Sequence, residues 1–347
     1  MMRPVFRKSM GDVFRGVFPA PFSPLNLFSA GSVGGWYDPA DLSTLFQDSA
    51  GTTPVTEAGQ PVGLAQDKSG GGYNAVQAIS AERPTYAIVP KSGRRNLAVS
   101  TELFDNASWV KFSSGTGSNP VVTDDFADGP LPNTRASRIV FDLGGGTTAA
   151  DISQIRNATP YTVAEYTPSF WLRSNTGSDY DIIFTIGNSQ AGEVTVTSTW
   201  QRLSLTFTPG AANILGAGLR TRGSAGHANV TDILVYGAQF ELGDAATAYQ
   251  RVKSEFDVFE AGVPSLSYFA RTDVAQSLNA TFPDLGANAT VATATESNVA
   301  ISGGQTIGAG SYDVLQGSQT FGHVVINRPL RLSETTSVRQ YLKGNAP

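Results

Sequence analysis

The sequence predicts an all-β protein with a short helical arm at its N-terminus and one helix near its C-terminus. Three observations carry that expectation. The 37 glycines and 19 prolines supply turns at short intervals. Only 15% of residues are charged, and runs of Thr, Ser and Val favour pleated, half-buried strands. Clear period-two alternation appears in Trp200-Gln201-Arg202-Leu203-Ser204-Leu205-Thr206-Phe207-Thr208, where Leu203, Leu205 and Phe207 share one face and Arg202, Ser204 and Thr206 the other. A second strand, Ile233 to Leu242, answers it and ends in Gln239-Phe240-Glu241-Leu242-Gly243.

At 347 residues the chain can hold two or three domains. A net charge of -5 argues against a general nucleic-acid binder, which needs a basic stripe to neutralise phosphates. Cysteine is absent, which excludes disulfides, thiolate zinc sites and cysteine nucleophiles. Prolines 19, 21 and 24 interrupt any apolar signal core, and no run of about 18 apolar residues suggests a membrane-spanning helix. Five Asn-x-Ser/Thr triplets, at Asn106, Asn157, Asn229, Asn279 and Asn288, read as by-products of a Thr/Ser-rich composition.

Taken in order, residues 1–32 form the arm. Phe6, Met10, Phe14 and Phe18 recur at helical spacing, and Arg3 and Arg7 add local positive charge. Pro19 to Pro24 cannot continue a helix. An arm with no core of its own suits a peg that orders on a partner; a frayed tail packed on its own domain is the plainer reading.

Residues 33–90 contain Trp36-Tyr37-Asp38-Pro39, Pro61 to Gly70, and Arg83-Pro84-Thr85-Tyr86. This series resembles the opening of laminin-G-like, concanavalin-type sandwiches found in phage structural proteins. The chain then turns at Lys91 to Leu97, and Asn96 to Trp109 resembles the entry strand of jelly-roll carbohydrate-binding modules, a kind also found in phage tail and fibre proteins. The Trp200 and Gln239-Phe240-Glu241 strands resemble the C-terminal half of the same module, which closes near Tyr249. Residues 264–291 resemble a resumption of the first sandwich. The expected organisation is therefore a split sandwich of 33–90 and 254–343 with a jelly roll of 94–250 inserted in it. Consecutive small units are the alternative, and a 58-residue unit alone would have a marginal core.

The C-terminal stretch reads as a β-rich run, Phe321 to Arg328, then a helix. Ser333 is the expected N-cap, Glu334 suits the first turn, and Leu332, Val338, Tyr341 and Leu342 are expected to pack one face before Gly344 stops it.

Alternation places Trp171 and Arg173 opposite Phe170 and Leu172, and Asp181, Ile183 and Thr185 opposite Tyr180, Ile182, Phe184 and Ile186. An outward face carrying Trp171, Arg173 and Asp181, with Gln239 beside it, has the chemistry of a sugar platform. An aromatic ring covers the C–H face of a pyranose while guanidinium, carboxylate and amide groups bond its hydroxyls. A strand tryptophan is more often core, and Trp200 is read as structural. Glu241 is expected to accept hydrogen bonds where the sheets close. Asp124, Asp125 and Asp128 read as an acidic turn before Gly129, and Phe126 breaks the EF-hand spacing. The jelly-roll resemblance implies a structural calcium as the one cofactor to consider there.

Catalytic signals fail in turn. His227, in a flexible-looking loop, and His323, in a strand, make no zinc pair, and no nucleophile elbow or phosphate loop occurs. The resemblances imply a non-enzymatic virion protein of a tailed phage or gene transfer agent. It would be a spike, fibre or fibre-base subunit on the external surface, pegged by its N-terminus to other virion proteins and adhering to host surface polysaccharide. A homo-oligomer, trimer or pentamer, is expected, since weak sugar sites gain from multivalency; neither nucleic acid nor membrane insertion is. Two alternatives remain: an architectural adaptor presenting another receptor-binding subunit, and a polysaccharide depolymerase, against which the absence of β-helix repeats weighs.

Overall fold

The computed structural model describes residues 21–29 and 31–347, so the expected docking residues Arg3, Phe6, Arg7, Met10, Phe14 and Phe18 lie outside the described residues. The fold is all-β, with twenty-three strands and a single α-helix among the described residues.

Strands β1 (Gly34–Tyr37), β2 (Leu45–Phe46), β3 (Leu64–Ala65), β4 (Ala75–Val76) and β5 (Thr85–Pro90) open the chain. Ten strands follow: β6 (Trp109–Ser114), β7 (Ser118–Asp128), β8 (Arg135–Asp142), β9 (Ile152–Asn157), β10 (Tyr166–Ser174), β11 (Tyr180–Ile186), β12 (Ser189–Val196), β13 (Gln201–Ser204), β14 (Ala217–Arg222) and β15 (Val230–Leu242). The chain ends with β16 (Gln250–Ser254), β17 (Asp257–Glu260), β18 (Ser265–Ala270), β19 (Asn279–Phe282), β20 (Gly286–Thr295), β21 (Val299–Ile307), β22 (Gly310–Asp313), β23 (Gln319–Ile326) and α1 (Leu332–Gly344).

The first and last groups share two sheets. An eight-stranded sheet runs β16-β17-β5-β18-β23-β20-β21 with β1 also on β23, and a five-stranded sheet runs β2-β3-β4-β19-β22. Between them lies a core of Tyr37, Leu45, Val62, Phe269, Phe282 and Val325. The far face of the larger sheet is covered as well, because Leu27, Trp36, Phe321 and Val324 pack with Val338 and Leu342 of α1. Burial on both faces explains why β23 ends in the consecutive apolar residues Val324, Val325 and Ile326 rather than in an alternating pattern. Residues Pro24–Phe28 form a 3-10 turn whose Leu27 is buried in that second layer, so this part of the expected arm belongs to the sandwich.

The helix differs from expectation at its start. Arg331, not Ser333, is the N-cap, and the Glu334 carboxylate accepts the Arg331 backbone N–H at 2.8 Å. Leu332 is 85% exposed and packs nothing; Val338 and Leu342 are buried, and Tyr341 meets Trp36 edge-on and donates to Asp38.

Residues 109–242 form a jelly roll of two five-stranded antiparallel sheets, β13-β10-β15-β8-β7 and β12-β11-β14-β9-β6. Phe104, Trp109, Phe141, Phe170, Phe184 and Phe240 fill the space between them. The side chains facing inward from β10 and β11 are those the alternation selects: Phe170 and Leu172, then Ile182, Phe184 and Ile186.

A buried polar network ties the two sandwiches together. The Gln250 amide accepts from the backbone N–H groups of Arg95 and Asn96 and donates to the Gly93 carbonyl and to Glu260. The Asn96 side chain donates to the Ala238 and Gln250 carbonyls and accepts from the Phe240 N–H. Arg95 pairs with Glu260 at 2.8 Å and reaches Glu241 at 3.7 Å. Apart from the buried Arg95 Nε, which has no hydrogen-bond partner, the polar groups named here are paired, and a buried network of this kind specifies one relative arrangement.

Candidate binding cleft at the junction of the sandwiches

The cleft is set by one irregularity in β15. Ile233 and Val235 point into the jelly-roll core before Gly237, and Ala238 and Phe240 point into it after. Gly237 has φ 61° and accompanies a register shift against β10 between Ser169 and Trp171. Such a bulge, with glycine in the left-handed region, re-aims the side chains around it. Tyr236 is thereby brought beside Trp171 on the outer face, and the Trp171 ring lies over the glycine. A Cβ at position 237 would stand 2.8 Å from Trp171 Cε3.

Three rings assemble there. Trp171 meets Tyr249 edge-on at 5.2 Å and Tyr236 at 6.0 Å, and the tyrosines are 5.8 Å apart. Arg202, opposite Trp171 on β13, lays its guanidinium 4.7 Å from the indole centroid. It is tethered by hydrogen bonds to the Thr247 carbonyl (2.6 Å) and Ser169 Oγ (3.1 Å), while its buried Nε has no partner. Burial lowers the Arg202 pKa, offset by the negative charge of Glu241. Glu102 accepts from the phenols of Tyr236 (2.6 Å) and Tyr249 (3.1 Å). Burial first, and the Glu102 charge second, push both phenol pKa values up, so they remain donors.

The opposite wall comes from the first sandwich. Phe259, 42% exposed, carries the Arg251 guanidinium 5.4 Å from its centroid, and Arg251 is held by Asp257 at 2.8 Å. Leu103 and Leu131 form an exposed apolar rim, with Arg135 and Lys253 beside them. The cleft, open to solvent along one side, has a volume of about 870 Å³. That is room for a small oligosaccharide or a peptide turn, with aromatic walls, guanidinium donors and two carboxylates, the phenol-bound Glu102 and the exposed Asp125.

Of the four expected glycan-contact residues, the structure brings only Trp171 to this cleft. Arg173 shares the outer face but stacks its guanidinium 5.2 Å over Trp200. Asp181 lies on the other sheet and accepts from Thr195 Oγ1 at 2.7 Å. Gln239 is fully buried: its amide donates to Glu241 and its carbonyl accepts the Gln250 N–H, so it fixes the junction and cannot reach a ligand. Glu241 accepts from Gln239 and from the backbone and hydroxyl of Thr247.

The acidic turn is corrected too. Asp124, Asp125 and Asp128 lie in strand β7, not in a loop. Asp124 accepts from the Phe104 and Asp105 N–H groups and from Ser137 Oγ, whereas Asp128 points into solvent and pairs with Arg135. Among the described residues no three His, Cys, Asp or Glu side chains converge as a metal needs. His227 lies in a loop, as expected, but its side chain is buried and fixed there, accepting the Arg222 N–H and bonding Glu193.

Sequence reasoning missed Tyr236, Tyr249, Glu102 and Phe259. The signal for Tyr236 was present: a glycine inside a strand marks a bulge, and alternation from Val235 sends Tyr236 outward. No local pattern ties Phe259 to Trp171.

No family model matches this chain, and no curated protein matches it. Among solved structures it is similar to the CBM22-1–GH10 modules of Clostridium thermocellum endo-1,4-β-D-xylanase 10B complexed with xylohexaose. The identity is 13% and the TM-score 0.30, over 44% of this chain and 30% of that one. Similarity extends to the enzymatically active domain of bacteriophage CBA120 tailspike protein 4, at 14% identity and TM-score 0.27 over 43% and 21% of the two chains. A third is the CBM22-1 xylan-binding domain of Paenibacillus barcinonensis Xyn10C, at 16% identity and TM-score 0.29 over 44% and 94%. The matched region thus spans less than a third of the first two structures.

Proposed function

We propose that this chain is a non-catalytic saccharide-binding protein, and that it serves as a surface spike, fibre or fibre-base subunit of a virion. The observation that carries the binding half is the junction cleft, where Trp171, Tyr236 and Tyr249 meet Phe259 across about 870 Å³ with Arg202 and Arg251 as fixed donors. Such a cleft matches a sugar in two respects: aromatic edges and the uncovered side of Phe259 for its C–H surface, and planar cations for its hydroxyls. The non-catalytic reading is supported by the two carboxylates of the lining: Glu102 is engaged by two phenols, which leaves Asp125 without a second free carboxylate to work with, whereas glycoside cleavage uses a pair. The virion half rests on the sequence resemblance and on the basic, apolar segment 1–20, the proposed peg to a neighbouring virion protein in a symmetric oligomer.

One observation favours the architectural alternative. Leu103, Leu131 and Phe259 leave exposed apolar surface around the cleft, which also suits a protein partner. Binding of the full chain to purified host surface polysaccharide, compared with Trp171→Ala, decides between the two. The saccharide reading expects binding that weakens at least tenfold on removal of the indole, with the fold kept by circular dichroism. Absence of binding by the intact chain overturns it. Deleting residues 1–20, which leaves Leu27 in the core, is expected to abolish co-sedimentation with particles while the cleft still binds.

A further inference from the structure

The outer face of the sheet containing β6, on the opposite side of the jelly roll from the cleft, gathers positive charge in an unusual way. Register places Phe112, Gln154, Arg220, Ile183 and Glu193 in one row across the sheet, with Arg156 and Arg222 in the rows on either side. Arg220 is 3% exposed and Arg156 6%. Their donors go only to neutral acceptors. Arg220 Nε meets Gln154 Oε1 at 3.1 Å and Nη2 the Asn188 carbonyl at 3.3 Å; Arg156 Nη1 meets Asn188 Oδ1 at 2.5 Å. The buried Nε atoms of Arg156 and Arg222 have no partner.

Among the described residues none of these three guanidinium groups makes an ion pair. The two carboxylates bordering the face are otherwise engaged, Asp181 by Thr195 and Glu193 by His227. A buried cation normally has a counter-charge, because desolvation without one is costly. Here burial and the like charges of Arg222 and Arg156 together depress Arg220 to about 10. Among the described residues no hydrogen bond engages Arg156 Nη2, Arg220 Nη1 or either Nη of Arg222, and clustered guanidinium groups with such spare donors form a preorganised receptor for a planar oxyanion, which accepts two parallel N–H bonds from one fork. Phe112, 41% exposed, lies 5.6 Å from the Arg156 guanidinium, and Val110 is exposed beside it, so an apolar surface borders the cationic one.

We propose that this face binds the carboxylate of an acidic sugar residue, held by Arg156, Arg220 and Arg222, with the sugar ring against Phe112. The site is separate from the junction cleft and does not depend on it.

Calorimetric titration of the full chain with sodium glucuronate and sodium galacturonate tests this, with glucose and sodium sulfate as controls. The uronates are expected to bind and glucose not, with affinity falling as ionic strength rises. Arg156→Gln should weaken uronate binding at least tenfold, and Arg156→Lys, which keeps the charge but loses the fork, several-fold. Arg222→Gln, at the less buried end of the cluster, provides a second variant should the first not fold. In the absence of ligand Arg222→Gln is expected to raise the melting temperature, since it relieves repulsion; a purely structural arginine would lower it. Uronates binding no better than glucose overturn the proposal, as does sulfate binding in preference to both uronates. A cleft that binds nothing while uronates still bind through these arginines would overturn the saccharide reading of the cleft and support this one.

Discussion

His323 is enclosed between the rings of Tyr37 and Tyr312, at 6.4 and 5.7 Å, with one nitrogen bonded to Thr293 Oγ1 at 2.8 Å and Nε2 without a partner. Complete burial lowers its pKa to about 3, so it is neutral in the folded chain at ordinary pH. Unfolded, it takes up a proton near pH 6.5. The unfolded state therefore binds more protons between those values, and the contribution of neutral His323 is full above pH 6.5 and lost as pH falls toward 3. The expected slope is about 1.4 kcal/mol per pH unit well below 6.5. Denaturant titrations between pH 7 and 5, above the range of most carboxylates, check it: His323→Asn should flatten this slope, and an unchanged slope refutes the assignment. Nothing in Phe321-Gly322-His323-Val324 betrays this enclosure, because the rings that enclose it come from β1 and from β22 of the facing sheet, which no local pattern joins to β23.

At the scale of elements, the bulge in β15 decides what the cleft contains. Without the extra residue at Gly237, strict alternation would carry Ala238 and Phe240 out of the core, or Tyr236 into it. Gly237→Ala places a side chain in the left-handed region and drives its Cβ within 2.8 Å of Trp171. The combined cost is expected to be roughly 2–4 kcal/mol, with Trp171 displaced. Thermal unfolding and tryptophan fluorescence of the variant read both effects, and a variant as stable as the parent with unmoved emission would remove the bulge from the account. The strands themselves were legible: Phe170, Leu172, Ile182, Phe184, Leu203 and Phe207 face the core as their alternation indicates. Gln239 was not, because its outward position on the strand is roofed by Thr247, Ala248 and Gln250 from a later segment.

For the molecule as a whole, the pairing that joins the termini of the chain lies beyond any local pattern. Tyr86 of β5 bonds Ser267 of β18 across 181 residues, and the alternation of Thr85–Pro90 announces a strand without naming its partner. The order of motifs along the sequence suggested the division at about residues 90 and 254; the contacts that hold it are amides and carboxylates, which carry no periodicity. Gln250 is central, since its side chain satisfies two backbone N–H groups, a carbonyl and Glu260 at once. Gln250→Leu keeps the volume and strands those groups in a buried site, at a cost of roughly 2–4 kcal/mol. Because the affected groups lie where β16 and β17 meet the jelly roll, the loss falls on the coupling between the sandwiches more than on either core. Calorimetry of the parent is expected to show one unfolding transition, and of the variant two. The cleft, built from Trp171 on one side and Phe259 on the other, should lose its ligand affinity at the same time. A variant that still unfolds in one step, with binding intact, would mean that each sandwich holds its wall of the cleft without the network.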